Sequence, residues 1–222
     1  SATNLGNCET NNTAYTLAGT VSTVWGIQNN SAYAVSSTGI GRSLAFQETN
    51  ESDCIVEVDM KSFGVGSGLC LRVTDSNNFL YVWLEPTAIG ISKYVAGAAT
   101  GIVNSSTTAF NDAKLSVLLK GNKIEVYVDG FLILRAFDSF NSTATKHGLY
   151  SRAEQFQTRW NNFCVKPIGE IPLSINETFE NGTTKWYWSK ESANMSYSQT
   201  FSTSIKESGT QSLRIELHKD DP

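Results

Sequence analysis

Hydrophobic and polar positions alternate along much of the chain with a period of two, the pattern of strands that bury one face. Cys54-Ile-Val-Glu-Val-Asp-Met60, Leu69-Cys-Leu-Arg-Val73 and Phe79-Leu-Tyr-Val-Trp-Leu-Glu85 all follow it. In the last of these, Leu80, Val82 and Leu84 share the face expected to meet the core, while Phe79, Tyr81, Trp83 and Glu85 share the other. Helical periodicity is almost absent, so the pattern predicts an all-β chain. Turn chemistry separates the strands. Thr74-Asp75-Ser76-Asn77-Asn78 connects two of them, and Gly121-Asn122 and Asp129-Gly130 join Lys114–Lys120, Lys123–Val128 and Phe131–Phe137 into a meander. A strand at Trp160–Val165 runs into Lys166-Pro167-Ile-Gly169-Glu-Ile-Pro172, whose prolines and glycine mark a linker over 167–174. The expected organisation is a domain over 1–166 and a shorter, incomplete β segment over 175–222.

With 222 residues, 40% of them hydrophobic and 17% charged, and rings from 11 Phe, 8 Tyr and 5 Trp, the chain can pack a core, which excludes global disorder. The length suits one domain plus part of another. Its 17 basic and 21 acidic residues leave a formal charge of −4 and no basic cluster. The electrostatic attraction that drives nucleic-acid and anionic-membrane binding is therefore missing, and neither is expected as a partner. No apolar run reaches the roughly 18–20 residues a membrane-spanning helix needs.

Compartment is read from sequons and cysteines. Asn11, Asn29, Asn50, Asn104, Asn141, Asn176, Asn181 and Asn194 each head an Asn-x-Ser/Thr acceptor, which points to a secreted, extracellular glycoprotein rather than an Asn/Thr-rich bacterial exoprotein. The absence of a hydrophobic leader before Ser1-Ala2-Thr3 is consistent with a processed N-terminus. Cys8, Cys54, Cys70 and Cys164 lack Cys-x-x-Cys spacing, which favours two disulfides over zinc. Of the three pairings, Cys54–Cys70 would bridge a hairpin around the Gly-rich turn Lys61-Ser-Phe-Gly-Val-Gly-Ser-Gly68, leaving Cys8–Cys164 to tie the first strand to the last.

These pieces carry a resemblance. Glu57-Val-Asp-Met, Gly68-x-x-Leu71-Arg72-Val-x-Asp75-x-x-Asn78-x-x-Tyr81, Lys93-Tyr-Val-x-Gly97, Gly121-Asn-Lys-Ile-x-Val-Tyr-Val-Asp129-Gly130, His147-Gly148-Leu149-Tyr150 and Trp160-Asn-x-Phe163 occur in that order. Together they resemble the concanavalin A-like (laminin-G-like) sandwich of secreted carbohydrate-recognition modules, over residues 1–166. The resemblance implies an antiparallel two-sheet jelly-roll sandwich, about six or seven strands to a sheet, with sugars met on the concave face or its rim. Glycan hydrolases of this fold use Glu-x-Asp-x-x-Glu; here Glu57 and Asp59 are followed by Ser62, so the third acid and the hydrolase site are absent. Phe179-Glu180-Asn181-Gly182, Trp186 to Ser189, Tyr197–Ser202 and Ser208–Leu217, with Asp220-Asp221-Pro222 behind, resemble the opening strands of a heparin-lyase-like polysaccharide lyase jelly roll over 173–222.

Other chemistry is thin. His147 and His218 are far apart in sequence and read as surface or strand-end residues, and Gly64-Val-Gly-Ser-Gly68 lacks the helix and Lys-Ser/Thr of a phosphate loop. No catalytic residue and no cofactor are assigned, although Asp75, Asn77 and Asn78 offer oxygen ligands at a spacing that suits calcium. For binding, the informative stripe is Tyr81, Trp83 and Glu85, backed by Arg72 and joined by Tyr94 and Arg152, since sugar sites combine an aromatic face with groups that bond hydroxyls. Trp186 and Trp188 fit ordinary packing better. The expected function is non-catalytic binding of a polysaccharide or glycoprotein glycan. The alternatives are a structural subunit of an extracellular assembly, self-associating through its C-terminal strands, and the front of a polysaccharide lyase.

Overall fold

The computed structural model describes residues 5–7, 12–21, 23–36, 41–62, 66–106, 112–152, 158–168, 195–202 and 212–219. In chain order these form β1 (Thr16–Gly19), β2 (Thr23–Gln28), β3 (Ser31–Ser36), β4 (Arg42–Glu48), β5 (Cys54–Ser62), β6 (Ser67–Asp75), β7 (Asn78–Glu85) and β8 (Ala88–Val95). There follow β9 (Ala98–Ser106), β10 (Ala113–Lys120), β11 (Lys123–Val128), β12 (Phe131–Phe137), β13 (Lys146–Arg152), β14 (Arg159–Pro167), β15 (Met195–Ser202) and β16 (Ser212–Lys219). The chain divides into two compact units, Ser1–Gly169 and Glu170–Pro222. The described part of the second is one antiparallel pair, β15 with β16, in which Met195 faces Lys219.

The first unit is an antiparallel sandwich. One seven-stranded sheet runs β1-β4-β13-β6-β7-β8-β9 and the other β12-β11-β10-β5-β14-β3-β2. The alternation read from the sequence explains the packing. Val56, Val58 and Met60 on β5, with Leu115, Val117 and Leu119 on β10, meet Leu69 and Leu71 on β6 and Leu80, Val82 and Leu84 on β7 in one buried cluster. Two tryptophans of the second sheet cross the interior and hydrogen-bond to the first: Trp25 Nε1 donates to Ser43 Oγ (2.9 Å) and Trp160 Nε1 to the Gly68 carbonyl (3.1 Å). The Asn29-Asn30 turn between β2 and β3, with φ of 52° and 57°, uses asparagine's tolerance of the left-handed region to close a two-residue hairpin.

Three expectations are corrected. β5 and β6 are not hairpin partners: β5 pairs with β10 and β14, and β6 with β7 and β13, in the opposite sheet. Cys54 consequently faces the interior, while Cys70 sits with the residues on the outer face of its sheet and donates to the Leu149 carbonyl (3.4 Å). No disulfide forms among the described residues; Cys54, Cys70 and Cys164 are free thiols, and Cys8 lies outside those residues. Burial pushes the Cys54 thiol up to about 12, so it stays protonated and inert. His147, the second residue of β13, is at a strand end but not at the surface: it is fully buried. The Arg72 backbone N–H donates to its Nδ1 (3.3 Å), so Nε2 carries the proton and donates to the Glu51 carbonyl (2.9 Å), with Cys54 Sγ 3.5 Å away.

Arg72 is the third. The β6–β7 register shifts between Leu71 and Asp75, and Arg72 takes φ 49°, a left-handed conformation rare for a long side chain. The bulge breaks the alternation: Val73 joins the outer face and Arg72 is buried, its Nη2 donating to the Ser52 carbonyl (3.3 Å) and lying 3.6 Å from the Asp53 carboxylate.

Candidate functional site

Most sandwich strands need only one apolar face, yet the β4-β13-β6-β7-β8 sheet has two. Its outer face carries Leu44, Phe46, Cys70, Val73, Phe79, Tyr81 and Tyr150 as a second buried cluster, with Trp83 and Tyr94 partly exposed against it. The rings interlock: Tyr81 lies 4.7 Å from Tyr150 and 5.2 Å from Tyr94, and Phe79 lies 5.0 Å from Tyr94. Above them opens a depression of about 450 Å³ whose lining includes Tyr81, Trp83, Tyr94 and Tyr150, ringed by Arg42, Glu85 and Arg152. Burial, then the neighbouring Tyr94 and Tyr81, push the Tyr150 hydroxyl's pKa well up, and burial does the same for Tyr81; both are neutral hydrogen-bonding groups at physiological pH.

Local sequence sets this geometry. Tyr81 and Trp83 share a face because they are two apart on β7, and Trp83 faces Gly90 across the β7–β8 register. A Cβ at Gly90 would lie 2.3 Å from the Trp83 ring, so the missing side chain is what lets the indole lie flat on β8, where its Nε1 donates to Ser92 Oγ (3.0 Å). Gly90→Ala is therefore expected to push the indole into the depression. Thermal unfolding should change by only about 1 kcal/mol, since a side chain rather than backbone moves, while the near-ultraviolet circular dichroism of the indole changes. An unchanged near-ultraviolet spectrum would show that the indole keeps its place.

Of the six residues singled out from sequence, the structure brings Tyr81, Trp83, Glu85, Tyr94 and Arg152 to this depression and leaves Arg72 elsewhere. It adds Arg42, Ser92 and Tyr150, which the sequence reading missed. Alternation on β4 (Arg42, Leu44, Phe46) and β13 (Tyr150, Arg152) was the available signal, but only the pairing of these strands with β6 tells which face they join.

The other candidates are occupied by structural work. Asp75 Oδ1 accepts from the Asn77 N–H (2.7 Å) and both its oxygens accept from Asn78 Nδ2; Asn77 Oδ1 accepts from Arg42 Nη2, and Asn78 Oδ1 from the Ala96 N–H (2.9 Å). Every side-chain oxygen of the cluster already accepts a hydrogen bond, within the turn or from Arg42 and Ala96. Glu57 and Asp59 point outward from β5. Asp59 accepts from Asn162 Nδ2 (2.7 Å) and lies 3.9 Å from Lys114 Nζ. Burial raises the Glu57 pKa, but the Lys166 ammonium and the Ser116 hydroxyl outweigh it and hold the carboxyl below its usual range, the opposite of what a general acid needs. A larger cavity of about 740 Å³, lined by Leu5, Tyr15, Trp160 and Phe163 among others, has no cation among its described lining residues. The pairing of aromatic wall and charged rim belongs to the smaller depression.

No protein-family model matches this sequence, and no curated protein sequence matches it. Solved structures do match. The carbohydrate-binding module CBM66 from Bacillus subtilis aligns with a TM-score of 0.52 at 20% identity, over 68% of this chain and 94% of that one. A protein of unknown function with a galectin-like fold, also from Bacillus subtilis, aligns with a TM-score of 0.53 at 10% identity, over 68% and 88%. The fold is a lectin-like jelly-roll sandwich. At these identities the likeness concerns architecture, which carries many functions, so function has to be argued from the site.

Proposed function

We propose that the first unit is a non-catalytic carbohydrate-binding module that recognises a polysaccharide or glycoprotein glycan in the depression walled by Tyr81, Trp83 and Tyr94. The observation that carries this reading is an aromatic cluster on the outward face of a sheet, already packed from below and partly open above, with charged groups at its rim. Such a surface stacks on the apolar face of a pyranose while Glu85, Arg42 and Arg152 bond its hydroxyls. Binding is an equilibrium with no covalent step. The likeness to a carbohydrate-binding module supports the reading in general terms. Trp83→Ala is expected to weaken retention on immobilised neutral and acidic polysaccharides at least tenfold, as loss of a central aromatic anchor does, with the fold intact by circular dichroism. Retention equal to that of the parent protein would sink the proposal.

The same reading places the protein outside the cell as a glycoprotein. Asn29 and Asn50 sit exposed in left-handed turns, and Asn104 is exposed on the edge strand β9, all accessible to a glycan. Asn141 is different: its Nδ2 donates to the carbonyls of Arg72 (3.0 Å) and Asn78 (3.2 Å), so a glycan there would remove a hydrogen bond from the bulge. Asn11, Asn176, Asn181 and Asn194 lie outside the described residues. Enzymatic deglycosylation in heavy-oxygen water should convert Asn29, Asn50 and Asn104 to labelled Asp and leave Asn141 unlabelled. Absence of label at all three accessible sites, in protein from its natural source, would refute the glycoprotein reading.

A further inference from the structure

Among its described lining residues the depression carries two cations, Arg42 and Arg152, and one acid, Glu85, although the chain as a whole is at −4. The two arginines are direct cross-strand partners in the β4–β13 register and lie on the same outer face. Two guanidinium groups placed opposite one another on neighbouring strands offer one anion donors from both sides.

Arg42 is also held in place. Its Nε donates to the Ser76 carbonyl (2.8 Å), its Nη2 donates to Asn77 Oδ1, and the guanidinium sits 4.4 Å over the Tyr94 ring. Both acceptors are neutral oxygens, which fix the group without cancelling its charge. Asn77 is in turn held by the Asp75 turn, so the Asp75-Asn77-Asn78 cluster acts as a buttress for Arg42. A fixed guanidinium loses little further entropy on binding, and its planar fork matches a carboxylate.

We infer that this site selects acidic glycans, specifically those whose pyranose carries a hexuronate carboxylate, with Arg42 and Arg152 meeting the carboxylate while the ring stacks on the aromatic wall. The inference rests on the carbohydrate-binding reading of the same site. Glu85 restricts the class: on the rim it accepts from hydroxyls but repels a second anionic group, which disfavours densely sulfated chains.

The test uses the full chain against polygalacturonate, alginate and hyaluronan, each beside its carboxyl-reduced counterpart, which keeps the sugar backbone and removes the charge. At least one acidic polymer is expected to bind about tenfold more tightly than its reduced form, with affinity falling as salt rises. Arg152→Gln, an exposed position whose variant is checked for fold by circular dichroism, is expected to erase the preference, so that the variant binds the acidic polymer no more tightly than the reduced one. Glu85→Gln is expected to strengthen binding to the acidic form. Equal binding of acidic and reduced polymers, or a preference that survives in Arg152→Gln, would overturn the inference. Binding to reduced or neutral glycans that Trp83→Ala abolishes, with no acid preference, would overturn it while the sugar-binding reading stands. Failure to retain any acidic, reduced or neutral glycan would overturn both.

Discussion

Replacing Trp160 by Ala is expected to destabilise the first unit by about 3–5 kcal/mol and to lower its unfolding temperature by roughly 10 °C. Trp160 is 1% exposed, packs tilted against Trp25 at a centroid distance of 5.4 Å, and donates across the sandwich to the Gly68 carbonyl. Truncation removes the ring contacts, leaves a cavity between the sheets, and strips a buried carbonyl of its donor. Trp160→Phe separates these contributions, since it keeps much of the ring and loses only the N–H; its cost should be about 1–2 kcal/mol. The effect reaches the proposed site as well. Gly68 is the register partner of Trp83, so the Trp160 bond fixes the stretch of β6 beside the aromatic wall. Thermal unfolding and glycan retention of both variants check the claim. A loss under about 1 kcal/mol for Trp160→Ala would mean that the sheets are held together without this bolt.

The face of each strand was legible in the sequence because the pleat has a strict period of two. Leu80, Val82 and Leu84 point inward, and Tyr81 and Trp83 point outward, as alternation on β7 requires. What alternation cannot supply is which sheet a strand joins, since that choice is made by contacts far apart in sequence. The error over Cys54 and Cys70 has this origin: proximity suggested a hairpin, whereas β5 and β6 belong to opposite sheets. Arg42 and Tyr150 were invisible for the same reason, because they come to Tyr81 and Tyr94 only through the β4-β13-β6 pairing.

Arg72 failed on a different physical point. One bulged residue reverses every face beyond it, and nothing in Leu71-Arg72-Val73 marks that residue, because an arginine in the left-handed region is held there by its surroundings. Its backbone N–H binds His147 and its carbonyl takes Asn141 Nδ2, partners 75 and 69 residues away. His147, by contrast, was recoverable: it stands two residues before Leu149, which faces the core, so alternation places it inward too.

Stability is expected to fall by roughly 3 kcal/mol between pH 6.5 and pH 4 on account of His147 alone. Burial, chiefly, lowers its pKa from 6.5 to about 4; the nearby Arg72 charge adds to the lowering, while the Glu51 carbonyl and the Glu48 carboxylate oppose it. In the unfolded chain the imidazole binds a proton near pH 6.5, whereas in the fold it does so only near pH 4. Between those values unfolding takes up about one proton, so the unfolded state gains about 1.4 kcal/mol for each unit the pH drops. The stabilisation from a neutral His147 is thus complete above pH 6.5, and its loss is complete once the pH is below about 4. Carboxylates held below their usual range, such as Glu57, lose their contribution at the acid end of this window, which leaves the interval from pH 6.5 to 5 as the signature of the imidazole. Urea unfolding at pH 7, 6 and 5 should show the decline, and His147→Gln, which keeps a donor toward the Glu51 carbonyl, should be less stable at pH 7 yet flat across the interval. A parent protein equally stable at pH 7 and pH 5, or a variant with the same slope, would mean that the imidazole is not the group that titrates.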